Sequence, residues 1–363
     1  MSKIIPLIII NFNGHRAMGD IFYRCLDSIN EAIATCSNIK FLPILVDNNS
    51  TDDSAYIARN KGFTVIRLGK NLGYAGACYI ASNFIVKNFG LPPLLICLNN
   101  DIIINSQAFC RFIKYISLMK KKLKGFIATP LLINGYTGNL DHGGHFIDSF
   151  GGAWSLALIL NPMLATKLRP LFLSYCDGAF WIIDDIAYSK IGIFNYKFFM
   201  YHEDVEISLR AWREGIPSIL VPMMLGVHYR SATSGKRPEI LYYAIRNRIM
   251  TTYEFFGFKG VLRVFLYYLL YMFRICDLNS ITNPRFSLRN DVVKVNKFLY
   301  AKYVTRAMID WIKLNSNQTQ FKGYSWPYLH LSFADLFSSK RLYNKVVSEL
   351  LAQIFHKKVV SYE

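Results

Sequence analysis

Two adjacent carboxylates, Glu203 and Asp204, follow the aromatic run Phe198-Phe199-Met200-Tyr201-His202 and open a helical pattern carried by Val205, Leu209 and Trp212. Glu206 and Arg210 are four residues apart and face each other on that helix. Acidic groups at a helix start are favoured by the macrodipole and by unpaired backbone N–H groups, so a capped surface helix is one reading. The other is a general base held at a rigid helix tip and aimed into a cleft, with Asp204 or Glu203 taking a proton. Which reading holds depends on what else the chain brings to the same place.

Several polar clusters stand at the ends of apolar runs. Ile4 to Ile10 ends in Asn11-Phe12-Asn13-Gly14, and Phe41 to Val46 ends in Asp47-Asn48-Asn49-Ser50-Thr51-Asp52. Phe63 to Leu68 leads to Asn71-Leu72-Gly73-Tyr74-Ala75-Gly76-Ala77, and Leu94 to Leu98 ends in Asn99-Asn100-Asp101. The apolar runs read as buried parallel strands. Helices are predicted between them, over about Ile21–Thr35, Ala55–Lys61 and from beyond Ala77 to about Asn88. Strand–helix alternation implies a doubly wound α/β sheet, and such sheets bind ligands beyond the C-terminal ends of their strands. A helix over Ser106–Lys124, a mixed stretch over residues 126–175, a strand over Cys176–Ile183 entered through Gly178, and a last strand over Ile219–Val227 ending in His228 follow.

Beyond residue 235 the character changes. Net charge is +18, of which residues 228–363 carry +13, with 21 Lys and Arg against 8 Asp and Glu. Hydrophobic residues make up 52% and aromatic residues 15%, and mean hydropathy is +0.21. A basic, aromatic third without any recognised nucleic-acid module points to acidic lipid head groups as partner rather than to nucleic acid. Leu241–Phe256 reads as a helix containing Arg246-Asn247-Arg248. Val264–Phe273, between Arg263 and Arg274, is too short to span a bilayer, which takes about 20 residues. It reads as a helix lying in the membrane interface or as a core helix. The N-terminus has no signal-peptide cleavage pattern. The seven cysteines (25, 36, 78, 97, 110, 176, 276) include no CxxC pair and read as reduced core residues of a cytoplasmic protein. The division expected is 1–235 for nucleotide and catalysis and 236–363 for acceptor and membrane surface.

Taken in order, Asn-Phe-Asn, Val-Asp-Asn-Asn-Ser-Thr-Asp, Asn-x-Gly-Tyr-Ala-Gly-Ala, Leu-Asn-Asn-Asp, Gly-Ala-Phe, His-Glu-Asp-Val-Glu-x-x-x-Arg and Val-His resemble the family 2 inverting glycosyltransferases of the GT-A fold, and within them the rhamnosyltransferase-like branch of bacterial surface-polysaccharide synthesis. The resemblance covers about residues 5–250. It implies a nucleotide-sugar donor across the first strand ends, with Asn11, Phe12 and Asn13 bordering the base. Asp47 would accept from a pyrimidine imide, although an Asx-turn is the structural alternative, and Asp52 equally suits a helix cap. Asn71 and Gly73 would let the backbone approach the nucleotide, and Asn100 and Gly178 would complete the donor site. Asp101 matches the last carboxylate of the metal motif and His228 the second ligand, implying Mn²⁺ or Mg²⁺ on the departing diphosphate. Asp204 matches the base, with Glu203 orienting the acceptor or tuning its neighbour, and Glu206 and Arg210 as scaffold.

Three positions depart from the pattern: Asn195-Tyr196 replaces an acidic pair, Asp184-Asp185 a basic pair, and Cys78 an Asn. They leave base and metal ligands intact and bear on donor and acceptor identity. The implied acceptor is a lipid-linked saccharide at the cytoplasmic face of the membrane, in O-antigen or capsule synthesis. The rival readings are a catalytically silent nucleotide-sugar-binding scaffold and a nucleotidyltransferase, the latter lacking a phosphate-cradling loop after strand one.

Overall fold

The computed structural model describes residues 4–230, 239–272, 297–314, 326–336 and 339–355. In chain order the first half contains β1 (Ile5–Asn11), α1 (Gly14–Met18), α2 (Asp20–Thr35), β2 (Phe41–Asp47), α3 (Ser54–Asn60), β3 (Thr64–Arg67), α4 (Gly73–Phe89), β4 (Leu94–Asn99), β5 (Ile102–Ile104) and α5 (Ser106–Lys122). Then come β6 (Ile127–Asn134), β7 (Leu140–His142), β8 (His145–Ile147), β9 (Ala153–Ser155), α6 (Pro162–Ala165), β10 (Leu171–Leu173), β11 (Phe180–Asp184), α7 (Asp185–Ile191), α8 (Glu203–Arg213) and β12 (Ser218–His228). The remainder is helical: α9 (Glu239–Met272), α10 (Lys297–Leu314), α11 (Phe333–Leu336) and α12 (Ser339–Phe355).

The main sheet runs β10-β12-β6-β11-β4-β1-β2-β3, with β5 added on β12 and β7 on β6. Along that path β12, β6, β4, β1, β2 and β3 point the same way, and β11 and β10 run against them. The sheet is therefore mostly parallel, as the strand–helix alternation implies. Every residue of β1 is buried, which is what a continuous apolar run in a central parallel strand requires. Its alternate side chains feed two layers. Leu7 and Ile9 pack with Phe22, Leu26 and Ile29 of α2 and with Phe109 and Phe112 of α5. Ile8 and Ile10 join the layer of Ala77, Ala81 and Ile85 of α4, and that layer continues into Tyr242, Ile245 and Ile249 of α9 and Leu342 and Val346 of α12. The core thus runs unbroken from the sheet into the C-terminal helices.

Gly257 (φ 65°, ψ −164°) breaks α9 in a region of backbone space that is almost glycine-only. A straight helix would separate residues 248 and 267 by about 28 Å at 1.5 Å per residue. The Arg248 guanidinium lies 4.4 Å from the Tyr267 ring, so the second half of α9 folds back along the first. The described part of the run beginning at Val264 belongs to a helix with one face in the core and one exposed. Val261, Val264 and Tyr268 are buried in the core, whereas Phe258, Leu262 and Leu266, spaced by four, are 66%, 57% and 38% exposed. Phe273 and Arg274 lie outside the described residues.

The cysteine reading needs one correction. Cys36 and Cys110 are disulfide-bonded, with Cα atoms 5.5 Å apart. The packing of α2 against α5 brings them together, because Cys36 closes α2 and Cys110 lies in the first turns of α5. Cys25, Cys78, Cys97 and Cys176 are buried free thiols, and Cys276 lies outside the described residues. No described helix is long and apolar enough to cross a membrane.

Candidate active site

Parallel strands end together, and here their ends form one edge. Asn11 is opposite Asp47, Ile10 opposite Asn99, and His228 opposite Asn134. β11 runs the other way, so its beginning, Gly178-Ala179, reaches the same edge, where Asn99 N–H donates to the Ala179 carbonyl at 2.8 Å.

The first loops are closed networks. Asn11 is fully buried; its Nδ2 donates to Ser50 Oγ (3.2 Å), and its Oδ1 accepts from Asn100 Nδ2 (2.8 Å). Asn13, at φ 52°, accepts the Thr51 N–H while its own N–H donates to Ser50 Oγ, and Phe12 beside it is half-buried. The fully buried Asp47 accepts from Ser50 N–H and from Arg67 Nε, both at 3.2 Å, so it makes an Asx-type turn and an ion pair at once. Asp52 accepts from Arg16 N–H and Ser54 N–H, at the start of α3. Asn48, which sequence reasoning passed over, ties this loop to the next. Its Oδ1 accepts Leu72 N–H (2.8 Å), and its Nδ2 donates to Asn71 Oδ1 and the Gly73 carbonyl. Gly73 has φ +71°, and a Cβ there would lie 2.1 Å from the Phe199 carbonyl oxygen. That contact joins the loop after β3 to the loop before α8.

Asp101 and His228 meet because β5 pairs antiparallel with β12, setting Ile102 opposite His228. His228 Nε2 is 3.1 Å from Asp101 Oδ1, and His228 Nδ1 is 2.8 Å from Asp141 Oδ2. Asp141 also takes Arg230 Nε at 2.5 Å and Asn134 Nδ2 at 3.2 Å. Burial opposes its ionisation, but His228 and Arg230 together hold its carboxyl below the usual range. With Nδ1–H given to Asp141, Nε2 turns a lone pair toward a carboxylate oxygen. Both Asp101 Oδ1 and His228 Nε2 are buried and have no hydrogen-bond partner among the described residues. Such an arrangement calls for a cation between them or a proton on the ring. Burial works against that proton, yet Asp101 and Asp141 raise the His228 pKa to about 9. Carboxylate–histidine–metal relays have this form, with the outer carboxylate orienting the ligating ring. The pair therefore fits a divalent cation as two of its ligands. Among the described residues no group of three such side chains converges, so other ligands would come from diphosphate and water.

At the tip of α8, three acidic residues lie in the first turn, Glu203, Asp204 and Glu206, all buried. Asp204 Oδ2 accepts Gly178 N–H at 3.0 Å and Oδ1 accepts Val205 N–H at 2.9 Å. Burial raises its pKa to about 6, against the lowering effect of those N–H groups and of Arg230. Glu203, buried beside that charge, is pushed well above the ordinary carboxylate range, and its Oε2 has no partner among the described residues. The Gly178 carbonyl in turn accepts Tyr74 Oη (2.7 Å), which binds the loop after β3 to the same corner. Glu206 and Arg210 form a two-point ion pair (2.7 and 3.0 Å), and Arg210 also donates to the Ile191 and Ile193 carbonyls.

The structure thus brings Asp101, His228, Gly178 and Asp204 to one edge, with Arg230 acting electrostatically on Asp141 and Asp204 alike. Sequence reasoning missed Asp141, Arg230 and Asn48. Asn48 sat inside a quoted motif; Asp141 and Arg230 carried no signal, since their roles arise from pairing across 87 and more residues. The departures from the family pattern have structural work: Asp184 caps α7 and pairs with Lys120, and Asn195 accepts Lys197 N–H.

The glycosyl transferase family 2 model matches residues 7–188, half of the chain. The low-salt glycan biosynthesis hexosyltransferase Agl10 of Haloferax volcanii is 22% identical over 269 residues, 73% of this chain and 80% of that protein. Among solved structures, S. aureus TarS 1-349 in complex with UDP-GlcNAc is similar with a TM-score of 0.50 at 13% identity, over 85% of this chain and 80% of that one. The mannosyltransferase PcManGT from Pyrobaculum calidifontis, solved with GDP-Man and Mn²⁺, has a TM-score of 0.47 at 10% identity, over 99% and 89% of the two chains. With its mostly parallel sheet and helical C-terminal region, the chain belongs to glycosyl transferase family 2 and is a glycosyltransferase of the GT-A fold.

Proposed function

We propose that this enzyme inverts the anomeric centre as it moves a hexose, in its rhamnosyltransferase-like branch rhamnose, from dTDP-rhamnose or a UDP-sugar to a hydroxyl of a lipid-linked saccharide in O-antigen or capsule synthesis. The observation that carries this is the meeting of a buried Asp101–His228 pair and a buried, backbone-held Asp204 at one sheet edge. A hexosyltransferase relative and a structural neighbour bearing UDP-GlcNAc support the donor class.

In this reading Asp204 takes the acceptor hydroxyl's proton. Its raised pKa makes it a stronger base than an ordinary carboxylate while leaving it ionised at neutral pH. Glu203, kept protonated beside it, leaves a single negative charge at the helix tip. Phe12, Asn13, Asp47, Asn71 and Gly73 border the nucleotide, and Asn11 and Asn100 brace those loops from beneath. Asp101 and His228 would hold Mn²⁺ or Mg²⁺, which neutralises charge on the departing diphosphate. Arg230 and Asp141 keep the His228 ring oriented.

Residues 1–235 would serve donor and catalysis, and residues 236–363 the acceptor and an anionic membrane surface at the cytoplasmic face. Phe258, Leu262 and Leu266 form an exposed apolar stripe, with Lys259 and Arg263 one position along, exposed beside it. That pattern suits a helix lying in the interface with its basic side chains reaching head groups. Two measurements test the proposal. Thermal shift against a panel of nucleotide-sugars, with and without Mn²⁺, should give a metal-dependent rise with dTDP- or UDP-sugars; no rise with any nucleotide-sugar would overturn it. Sedimentation with phosphatidylglycerol vesicles should be lost in Phe258→Asp/Leu262→Asp, and undiminished pelleting would remove the membrane role of the stripe.

A further inference from the structure

Five non-glycine residues among the described ones have positive φ. Two are Asn, which tolerates it; the other three, Phe199, Tyr201 and His202, crowd the four residues before Glu203. Phe199 (φ 63°, ψ −68°) sits at the centre of a γ-turn closed by Met200 N–H to the Phe198 carbonyl at 2.7 Å, a strained form for a bulky residue. Such backbone persists only where its surroundings over-determine it.

The restraint comes from the first half of α9. Asn247 is fully buried, a costly place for an amide in a helix interior without partners. Its Nδ2 lies 2.8, 2.8 and 2.6 Å from the carbonyls of Phe198, Met200 and Tyr201, so two N–H bonds are shared among three acceptors. Arg246 donates to the Lys197 and Phe198 carbonyls at 2.7 and 3.0 Å, and its Nε donates to Asn247 Oδ1 at 2.9 Å, fixing the amide's orientation. The Phe199 ring stacks on Tyr243 at 4.7 Å. The remaining Phe199 carbonyl accepts Ala75 N–H at 3.2 Å, over Gly73. One helix therefore grips the turn on one side, and the loop after β3 meets it on the other.

We propose that Asn247, with Arg246 as its support, is a positioning residue for sugar transfer: it holds the left-handed Phe199–His202 turn so that Asp204 and the loop after β3 keep a fixed mutual geometry. The inference rests on the reading of Asp204 as base. It assigns a catalytic consequence to α9, which the sequence motifs leave outside the site.

Asn247→Asp keeps the shape and removes the donors. Its kcat should fall about 10²-fold, the cost of a misplaced reacting group, while dTDP or UDP with Mn²⁺ binds at unchanged stoichiometry and within threefold of wild-type affinity. In Asn247→Leu, which removes the donors without adding a charge, the acid limb of the pH profile should move below about 6, because a loosened turn gives Asp204 water while Glu203 and Arg230, which face it, remain. A folded variant with wild-type kcat and an unmoved limb would overturn the proposal, as would a kcat loss equal to the loss of binding stoichiometry. If Asn247→Asp does not fold, Arg246→Lys decides: about tenfold lower kcat at full binding stoichiometry supports the clamp, and wild-type kcat refutes it. Asp204→Asn run in parallel separates the two ideas. Full turnover there removes the base assignment; an inactive Asp204→Asn beside a fully active Asn247→Asp removes the clamp alone.

Discussion

Asn11, Asn13, Asn48 and Asn71 lie on the same sheet edge as Asp101, His228, Glu203 and Asp204, and the two groups are similarly polar. They differ in how their atoms are satisfied. Each of the four asparagines spends its amide on a neighbouring loop. Across the edge, Asp101 Oδ1 and His228 Nε2 face each other at 3.1 Å, and they and Glu203 Oε2 are buried with no hydrogen-bond partner among the described residues. A closed network makes a rigid platform that a flat ligand can rest on; unsatisfied buried atoms cost stability and are kept where something must be bound or moved. On the proposed reading, the donor side is architecture and the catalytic side is chemistry held in reserve.

Substitutions should separate the two sides, beginning with the most severe. Asp204→Asn should lower kcat by roughly 10³-fold, within the range for loss of a general base, and leave nucleotide affinity nearly unchanged by calorimetry. The same variant should be more stable than wild type above about pH 6. Asp204 has a folded pKa of about 6 against 3.8 for a free carboxyl. Its contribution to stability is full below 3.8 and is lost as pH rises through 6, a difference of up to about 3 kcal/mol. Chemical denaturation at pH 4 and pH 7 measures it, and equal destabilisation at both pH values would contradict the buried-acid account. For the wild-type enzyme, activity should decline as pH falls below about 6, because the protonated base cannot accept a proton.

Asp141→Asn should come next. It leaves both proposed ligands in place but removes the charge that orients His228, so Mn²⁺-dependent nucleotide binding should weaken by roughly 10–100-fold. Unchanged binding would show that His228 needs no orienting partner. Asn48→Ala should do least to chemistry. It deletes the bonds between the loops after β2 and β3, costing roughly 1–3 kcal/mol of stability and raising donor KM severalfold with kcat within threefold. A kcat collapse there would erase the distinction between platform and reacting groups.

The platform was legible in the sequence because β1, β2 and β4 are apolar runs that stop at Asn or Asp, and the shorter β3, which ends at Arg67, is followed within four residues by Asn71. Strand, edge and polar cluster are then written in adjacent residues. Much of the catalytic side was not. β6 lay in the mixed stretch of residues 126–175 and carries Pro130, as β1 and β2 carry Pro6 and Pro43, yet it pairs with β11 and β12. The proline is accommodated where the β6–β12 register shifts between Leu220 and Met224, a bulge that no local pattern announces. Asp141 lies on the three-residue β7 beside another register shift, so its place against His228 is set by tertiary pairing alone. The clamp at Asn247 was hidden for the opposite reason: an Arg-Asn pair inside a helical pattern looks like solvated surface until the turn it grips is seen. Glu203 and Asp204 were visible, but their burial was not, because only the packing of the helix supplies it.

Gly257 has a reach beyond its own turn. The chain pivots there once, and the two arms of α9 carry different loads, Asn247 on the first and the Phe258–Leu262–Leu266 stripe on the second. A side chain at that pivot would tend to straighten the arms and swing outward the far end of the stripe, Leu266, which stands about 13 Å along the helix from the pivot. If the stripe rests on a membrane as proposed, the torsion of this single residue would set how high the reacting edge stands above that surface, and acceptors whose tether does not match that height would be turned away before any sugar is recognised.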